Sequence, residues 1–341
     1  MKKLTLLFTA AVLTYGLVAC SDKSTDAPAL IETNELPSID MVATHAIDLD
    51  ISVAQLTFVP NNTAPWLGRI ILMDEAGHLY STDIEGRDPK PVGSGKYIDI
   101  FGLSREAAPG VFLAITGNKK IEAFIESDNE GNFSPMIYSG ENIDAQGFCL
   151  AQDTTTKTAK ILTTNSEFKR ISINIEDKHL EQKILEPDLG TQDITENDPA
   201  FKNVYECVYD DGVFGGEWVS FAENKVKKIN ATGFGFISSV QEAEKLEDIV
   251  VNTFQFRPAN TGELLINFNE FRANIKNGLS VHGVDNIKYV ASTTSNYGGG
   301  AYAKGVLALV DKDEDRIVFI SMSYAERQLL KAVNPPEGVP Q

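Results

Sequence analysis

The chain of 341 residues carries 30 Lys and Arg against 48 Asp and Glu, a formal charge of −18. That balance excludes a general nucleic-acid partner, whose phosphates need a basic face to displace their counterions. Three cysteines in a chain of this length exclude a disulfide framework, and the acidity itself fits either a solubilising surface or divalent-cation binding.

The first element is N-terminal. Lys2 and Lys3 precede an apolar stretch from Leu4 to Leu17, shorter than the roughly 20 residues that span a bilayer as a helix. It closes on Leu17-Val18-Ala19-Cys20, which resembles the lipobox of bacterial lipoproteins. The resemblance implies a signal peptide over residues 1–19 and lipid on Cys20, with the domain outside the cytoplasm. Each buried acyl methylene contributes about 0.8 kcal/mol, so two or three chains hold a domain durably at a membrane. Ser21 rather than Asp follows the cysteine, which points to the outer membrane rather than the inner. Cleavage would leave 28 basic and 48 acidic side chains, a balance of −20. Of the cysteines only Cys149 and Cys207 would remain free of lipid, either as a disulfide or as two buried thiols.

Residues 20–45 are rich in Ser, Asp, Thr and Pro without periodicity, and read as a flexible tether. Strand signals follow in pairs. Arg69 to Met73 and His78 to Thr82 flank the turn Asp74-Glu75-Ala76-Gly77; Val111 to Thr116 and Lys120 to Ser127 flank Gly117-Asn118-Lys119; Ile161 to Thr164 and Phe168 to Ile175 flank Asn165-Ser166. Further strands are expected at Val204 to Tyr209, Glu217 to Phe221, Val250 to Phe256, Glu263 to Asn267, Val306 to Val310 and Arg316 to Met322. Helical pattern is nearly confined to Gln241 to Glu247, and residues 331–341 form a Pro-rich tail. Hairpins restart about every 45 residues, the repeat of a four-stranded propeller blade. The fold expected is all-β, a six-bladed β-propeller over residues 46–330.

Several chemistries are excluded by spacing. Gly93-Ser94-Gly95-Lys96 lacks the earlier Gly and the following Ser or Thr of a phosphate loop, and reads as a turn. No G-x-S-x-G elbow occurs, and His45, His78, His179 and His282 lack zinc spacing. Asp311 to Asp315 begins like a calcium loop, but Arg316 stands where the turn needs Gly and Met322 where a bidentate Glu should close it, so it reads as a solvated hairpin end.

Four segments between Trp66 and Glu326 resemble the β-propeller phytases, a six-bladed family that hydrolyses phytate with bound calcium. Gly147-Phe148-Cys149-Leu150 with the hairpin from Ala159 is similar to a G-[LF]-C-[ML] strand. Tyr205-Glu206-Cys207-Val208-Tyr209-Asp210-Asp211 with Gly216-Glu217 is similar to T-E-G-x-V-x-D-D and the Gly-Glu after it. Gly283-Val284-Asp285 followed by Ala301 to Ala308 resembles D-G-I-D and its next strand, and Tyr97-Ile98-Asp99-Ile100 echoes N-N-V-D-V-R. The resemblance implies calcium held by Glu206, Glu247, Asp285 and Asp99. The chain also departs from the pattern. The D-A-A-D-D-P-A segment has no counterpart near Ser38 to Pro60, Lys245 and His282 replace acidic ligands, and Phe101, Thr116-Gly117-Asn118 and Thr164-Asn165 stand where basic phosphate clamps belong.

Two functions therefore remain. One is an anchored, catalytically weakened propeller that binds an envelope protein or a small ligand. The other is a calcium-dependent phosphomonoesterase acting on phytate or a smaller phosphate ester. Trp66 and Trp218 read as anchors between blades, with ligand stacking as the alternative. Tyr297-Gly298-Gly299-Gly300-Ala301-Tyr302 reads as a flexible aromatic loop or a long hairpin end.

Overall fold

The computed structural model describes residues 36–103, 109–140, 143–148, 150–151, 158–164, 168–176, 179–184, 206–210, 217–222, 225–230, 256–259, 261–266 and 271–333. Two strands come first, β1 (Ser38–Val42) and β2 (His45–Asp48). The first sheet is then laid down in sequence as β3 (Val53–Val59), β4 (Arg69–Asp74), β5 (Leu79–Thr82) and β6 (Lys90–Val92), and the second as β7 (Tyr97–Leu103), β8 (Val111–Thr116), β9 (Ile121–Glu126) and β10 (Phe133–Pro135). Next along the chain are β11 (Ile137–Gly140), β12 (Ala145–Phe148), β13 (Leu150–Ala151), β14 (Thr158–Thr163), β15 (Phe168–Glu176) and β16 (His179–Ile184). The third sheet has the order β11-β16-β15-β14-β12. The fourth joins β13 to β17 (Glu206–Asp210), β18 (Glu217–Ala222) and β19 (Lys225–Asn230).

The last two sheets are completed from the N-terminus. β20 (Phe256–Pro258), β21 (Leu264–Ile266) and β22 (Phe271–Lys276) take β1 as their outer strand, parallel to β22. β23 (Ile287–Thr293), β24 (Val306–Asp311) and β25 (Arg316–Ser321) take β2, antiparallel to β25. One helix, α1 (Met322–Val333), follows. Neighbouring sheets pack through their first strands, β3 touching β23 on one side and β7 on the other, and β7 touching β12. This is a β-propeller, with its described strands in six sheets.

The packing explains why the strands read as continuous apolar runs. Alternate side chains of one strand enter two different cores, one on each face of the sheet. In β4, Ile70 and Leu72 pack toward the sixth sheet while Ile71 and Met73 pack toward the second. In β8, Val111, Leu113 and Ile115 face the third sheet, and Phe112 and Ala114 face the first. β24 and β25 divide in the same way between the fifth-sheet and first-sheet sides. Each such side chain contributes about 1.5–3 kcal/mol relative to exposure.

Two expected boundaries move. The tether assigned to residues 20–45 overlaps β1 and the start of β2, because Ile39 and Met41 are buried while Ser38 and Asp40 face out. That alternation is only five residues long within a Ser- and Pro-rich stretch. The tail expected from residue 331 begins later, since α1 runs to Val333 with Met322, Ala325 and Leu329 buried on one face. The helical segment expected at Gln241 to Glu247 lies outside the described residues. The turn at Gly93 to Lys96 lies between β6 and β7 as expected, and the hairpin end expected at Asp311 to Asp315 lies between β24 and β25, with residues 312–315 exposed but Asp311 itself buried.

Arg316, where a calcium loop would need Gly, is buried. It donates to Asp311 at 2.9 Å and to the Gly283 carbonyl at 2.8 Å, tying the hairpin to the segment that leads into β23. Between the first two sheets the backbones come very close at Gly102, where an added Cβ would lie 1.9 Å from the Phe58 carbonyl oxygen. We expect Gly102→Ala to destabilise the domain by about 1–3 kcal/mol or more, the range for forced overpacking, read as a fall in urea midpoint at unchanged slope.

Candidate functional site

Four first strands share one irregularity. A register shift falls between Val53 and Gln55 in β3, Tyr97 and Asp99 in β7, Ala145 and Gly147 in β12, and Ile287 and Tyr289 in β23. Each is a β-bulge, which leaves one residue out of the ladder and re-aims the next. The residues left out are Ala54, Ile98, Gln146 and Lys288. The residues re-aimed are Gln55, Asp99, Gly147 and Tyr289.

Those four positions meet across the sheets. Gln55 Nε2 donates to Tyr289 Oη at 3.1 Å and to Asp99 Oδ1. Asp99 Oδ1 also accepts from the Ile100 N–H at 2.8 Å, and its Oδ2 accepts from the Phe148 N–H of the next sheet. An added Cβ on Gly147 would stand 3.2 Å from Asp99 Oδ2, so the glycine leaves room for the carboxylate. A polar belt thus runs through the sixth, first, second and third sheets at the leading ends of their first strands.

Around the belt lie further links between sheets. Lys288 pairs with Glu75 of the β4–β5 turn, and Lys120 of the β8–β9 turn pairs with Asp144 ahead of β12. These pairs are solvent-exposed and contribute little individually. In the β4–β5 turn, Asp74 accepts from the His78 N–H at 2.7 Å and meets the His78 ring at 3.0 Å. Burial pushes the Asp74 carboxyl up, but the His78 contacts together bring it below its ordinary value. Beside the belt, burial and a 3.0 Å hydrogen bond to Glu122 push the Tyr97 hydroxyl up to about 12.

The residues expected to hold calcium are distributed as follows. Asp99 is in the belt. Asp285 is exposed, two residues ahead of β23. Among the described residues no three His, Cys, Asp or Glu side chains converge as a metal site. Glu206 opens β17, but its side chain is outside the described residues, as are Glu247, Cys20 and Cys149 entirely. Cys207 lies in β17, and its side chain is likewise outside them. Leu150 and Val208 are parallel partners, and in the sequence a cysteine precedes each.

Trp66 is 71% exposed, not an anchor between blades. It sits in a 3-10 turn over Pro65–Leu67, which leaves its indole outside the strand layers. The tyrosines of the glycine loop take the anchoring role instead. Tyr297 is 3% exposed and donates to the Arg69 carbonyl at 2.9 Å, and Tyr302 is also buried, its hydroxyl pushed up by burial. Under the same loop, Glu126 is buried beside Arg69, 3.5 Å away, and burial raises its carboxyl despite the cation.

Sequence reasoning found Asp99 but missed Gln55 and Tyr289. The signal was present as spacing. Gln55 and Asp99 are 44 residues apart, one blade repeat, and Asp99 and Phe148 are 49 apart.

No protein-family model and no curated protein sequence matches the chain. Among solved structures it is similar to YCF48 bound to D1 peptide, at 8% identity over 84% of this chain and 99% of that one, with a TM-score of 0.39. It is also similar to a complex of S. cerevisiae Dbp5 with Nup159, Gle1, IP6 and ADP, at 8% identity over 80% of this chain with a TM-score of 0.30. The N-terminal domain of Nup159 gives 8% identity over 80% of this chain and a TM-score of 0.29. The chain spans 65% of the length of each of the latter two.

Two measurements test the belt. Asp99→Ala removes the acceptor of the Phe148 N–H and leaves the Gln55 amide with Tyr289 alone, at an expected cost of about 1–3 kcal/mol. A cycle with Gln55→Ala should return a coupling of at least about 0.5 kcal/mol, and additive losses would show that the two side chains act independently. Tyr97 adds a pH signature. Its hydroxyl ionises near 10 in the unfolded chain and at about 12 when folded, so its contribution is whole below pH 10 and lost as pH rises between those values. The difference in melting temperature between wild type and Tyr97→Phe should fall across that window, because phenylalanine has nothing to titrate.

Proposed function

We propose that this protein is an envelope lipoprotein, held through Cys20 in the outer membrane, whose propeller is a binding scaffold with weakened or lost phosphatase chemistry. Its ligand is an envelope protein or a small phosphate ester gathered at the face where the first strands begin. The observation that supports this reading best is the use made of Asp99. Both of its carboxylate oxygens accept hydrogen bonds from neighbouring sheets. A calcium ion needs six to eight oxygen ligands, several of them carboxylates turned toward it. Asp99 is instead turned toward the protein, where it fixes the spacing of three sheets. Where the phytase pattern calls for Arg the sequence has Phe101 and the Gly117 of Thr116-Gly117-Asn118, and Thr164-Asn165 stands near the place of a Lys, which suits a polyanion such as phytate poorly.

The test is an assay of the full chain with calcium, offered phytate and a chromogenic phosphate ester. We expect no turnover and no rise in melting temperature on adding calcium. Calcium-dependent turnover abolished by Glu206→Gln would replace this reading with a calcium-dependent phosphomonoesterase, in which Glu206, Glu247, Asp285 and Asp99 hold the metal.

A further inference from the structure

The two ends of the first strands are chemically different faces, and hydrogen bonds show on which of them the N-terminal segment leaves. The β4–β5 turn meets the start of β7 through Tyr97 N–H to Gly77 O, at 2.8 Å. The β20–β21 turn meets the start of β23 in the same way, through Ile287 N–H to Gly262 O at 2.7 Å. Both turns therefore lie on the face that carries the belt. β22 is antiparallel to β21, with Phe271 opposite Ile266 and Ala273 opposite Leu264, so Phe271 lies at the end away from that face. β1 is parallel to β22, with Ser38 opposite Arg272 and Val42 opposite Lys276. The chain thus enters β1 from the face opposite the belt.

The same opposite face carries the β3–β4 and β23–β24 loops, residues 60–68 and 294–305. In a chain with 48 acidic side chains these two loops contain none, and their one charge is Lys304. They touch: Gly298 lies over Trp66, where an added Cβ would stand 3.6 Å from the Trp66 Cα, and Gly68 lies beneath the Tyr297 ring. Trp66 projects from this pair at 71% exposure, and an added Cβ on Gly299 or Gly300 would meet open space. Trp is the residue that partitions to the membrane–water boundary, with an apolar body and one N–H donor. The β5–β6 and β9–β10 loops on this face carry Asp83, Glu85, Asp88, Asp128 and Glu130 against Arg87, which pairs with Asp83 and Glu85; the net acidic balance disfavours an anionic surface.

We propose that the Trp66 loop pair docks on a zwitterionic lipid surface, so that the propeller lies with its belt face turned away from the membrane. This rests on the reading of Cys20 as lipid-anchored. The 17 residues from Ser21 to Pro37 reach at most about 60 Å even when fully extended. A domain of about 300 residues is itself about 50 Å across. That reach only slightly exceeds the width of the domain, so turning the belt face to the bilayer would need the tether drawn nearly straight, and the face where the chain leaves is the one held nearer the bilayer.

The experiment uses the full chain on phosphatidylcholine vesicles, with and without bromine on the acyl chains, following tryptophan emission. Bromine should quench the emission of one of the two tryptophans in wild type, and that quenched fraction should be missing from Trp66→Phe at an unchanged melting temperature. Emission from Trp66 that bromine leaves intact on vesicle-bound protein overturns the proposal and leaves the loop pair as a surface for another protein. Equal quenching in wild type and variant also overturns it. The anchor is read separately, by intact mass at Cys20. Where that mass shows no acyl chain, the same quenching is read on chain held through an N-terminal histidine tag to a nickel-chelating lipid, so failure of the anchor and failure of the docking face give different results.

Discussion

A propeller blade has two apolar faces and cannot bury either alone. Ile70 and Ile71, neighbours in β4, need two different partner sheets, one before and one after their own. The first and last sheets of the chain therefore have to find each other. In this protein β2 completes the sixth sheet before the chain turns into β3 and opens the first, while β1 completes the fifth. The eleven residues from Ser38 to Asp48 thus lie on sheets whose other described strands all follow residue 255. Long-range pairing of this kind is entropically costly to form, with closure cost rising only slowly as the loop lengthens, and it leaves the outer edges of two sheets covered.

Closure of that kind fixes which sheets are neighbours but not how far apart they stand, and the bulges settle the second question. Each removes one residue from the ladder of a first strand and aims the next along the line between sheets. Where that next residue is Gln55, Asp99 or Tyr289, it reaches across; where it is Gly147, it makes room. The resulting chemistry is directional. Asp99 is held by donors on both sides, so its carboxylate serves the fold before it serves any ligand. A fold does not carry a chemistry by itself.

Much of the fold was legible because strands sandwiched between sheets leave a strong mark. VLALV in β24 and RIVFIS in β25 are apolar at nearly every position, and the Asp- and Gly-containing turns between such runs stand out. The parts that escaped do so for identifiable reasons. β1 has only two buried side chains, Ile39 and Met41, within a stretch whose composition suits a linker. α1 shows just three buried positions at helical spacing and begins where β25 ends, so its first residue, Met322, reads as the end of a strand. The belt is harder still, because a bulge breaks the alternation on which strand reading depends. Lys288 and Ile98 look like ordinary strand residues, and nothing local marks Gln55 or Tyr289 as their neighbours' partners. Only the blade-length interval between Gln55 and Asp99 does so. The exposed Trp66 departs from expectation for a similar reason: a large aromatic suits the space between sheets, and the proline before it in a short turn is a weak signal against that.

The two faces of the propeller then divide their tasks by charge. The belt face gathers cross-sheet contacts in which each acid meets a cation or an N–H donor: Glu75 with Lys288, Asp144 with Lys120, Asp99 with its amide donors. The other face holds a neutral loop pair next to acidic ones, and the N-terminal segment joins the fold there. Acidic loops flanking a neutral aromatic one limit how deeply that face can approach a charged surface and in what orientation, since repulsion between like charges fades only beyond a Debye length of about 8 Å at physiological ionic strength. A shallow contact through Trp66 is the geometry that satisfies both. In the proposed orientation the belt face would be turned outward, away from the lipid.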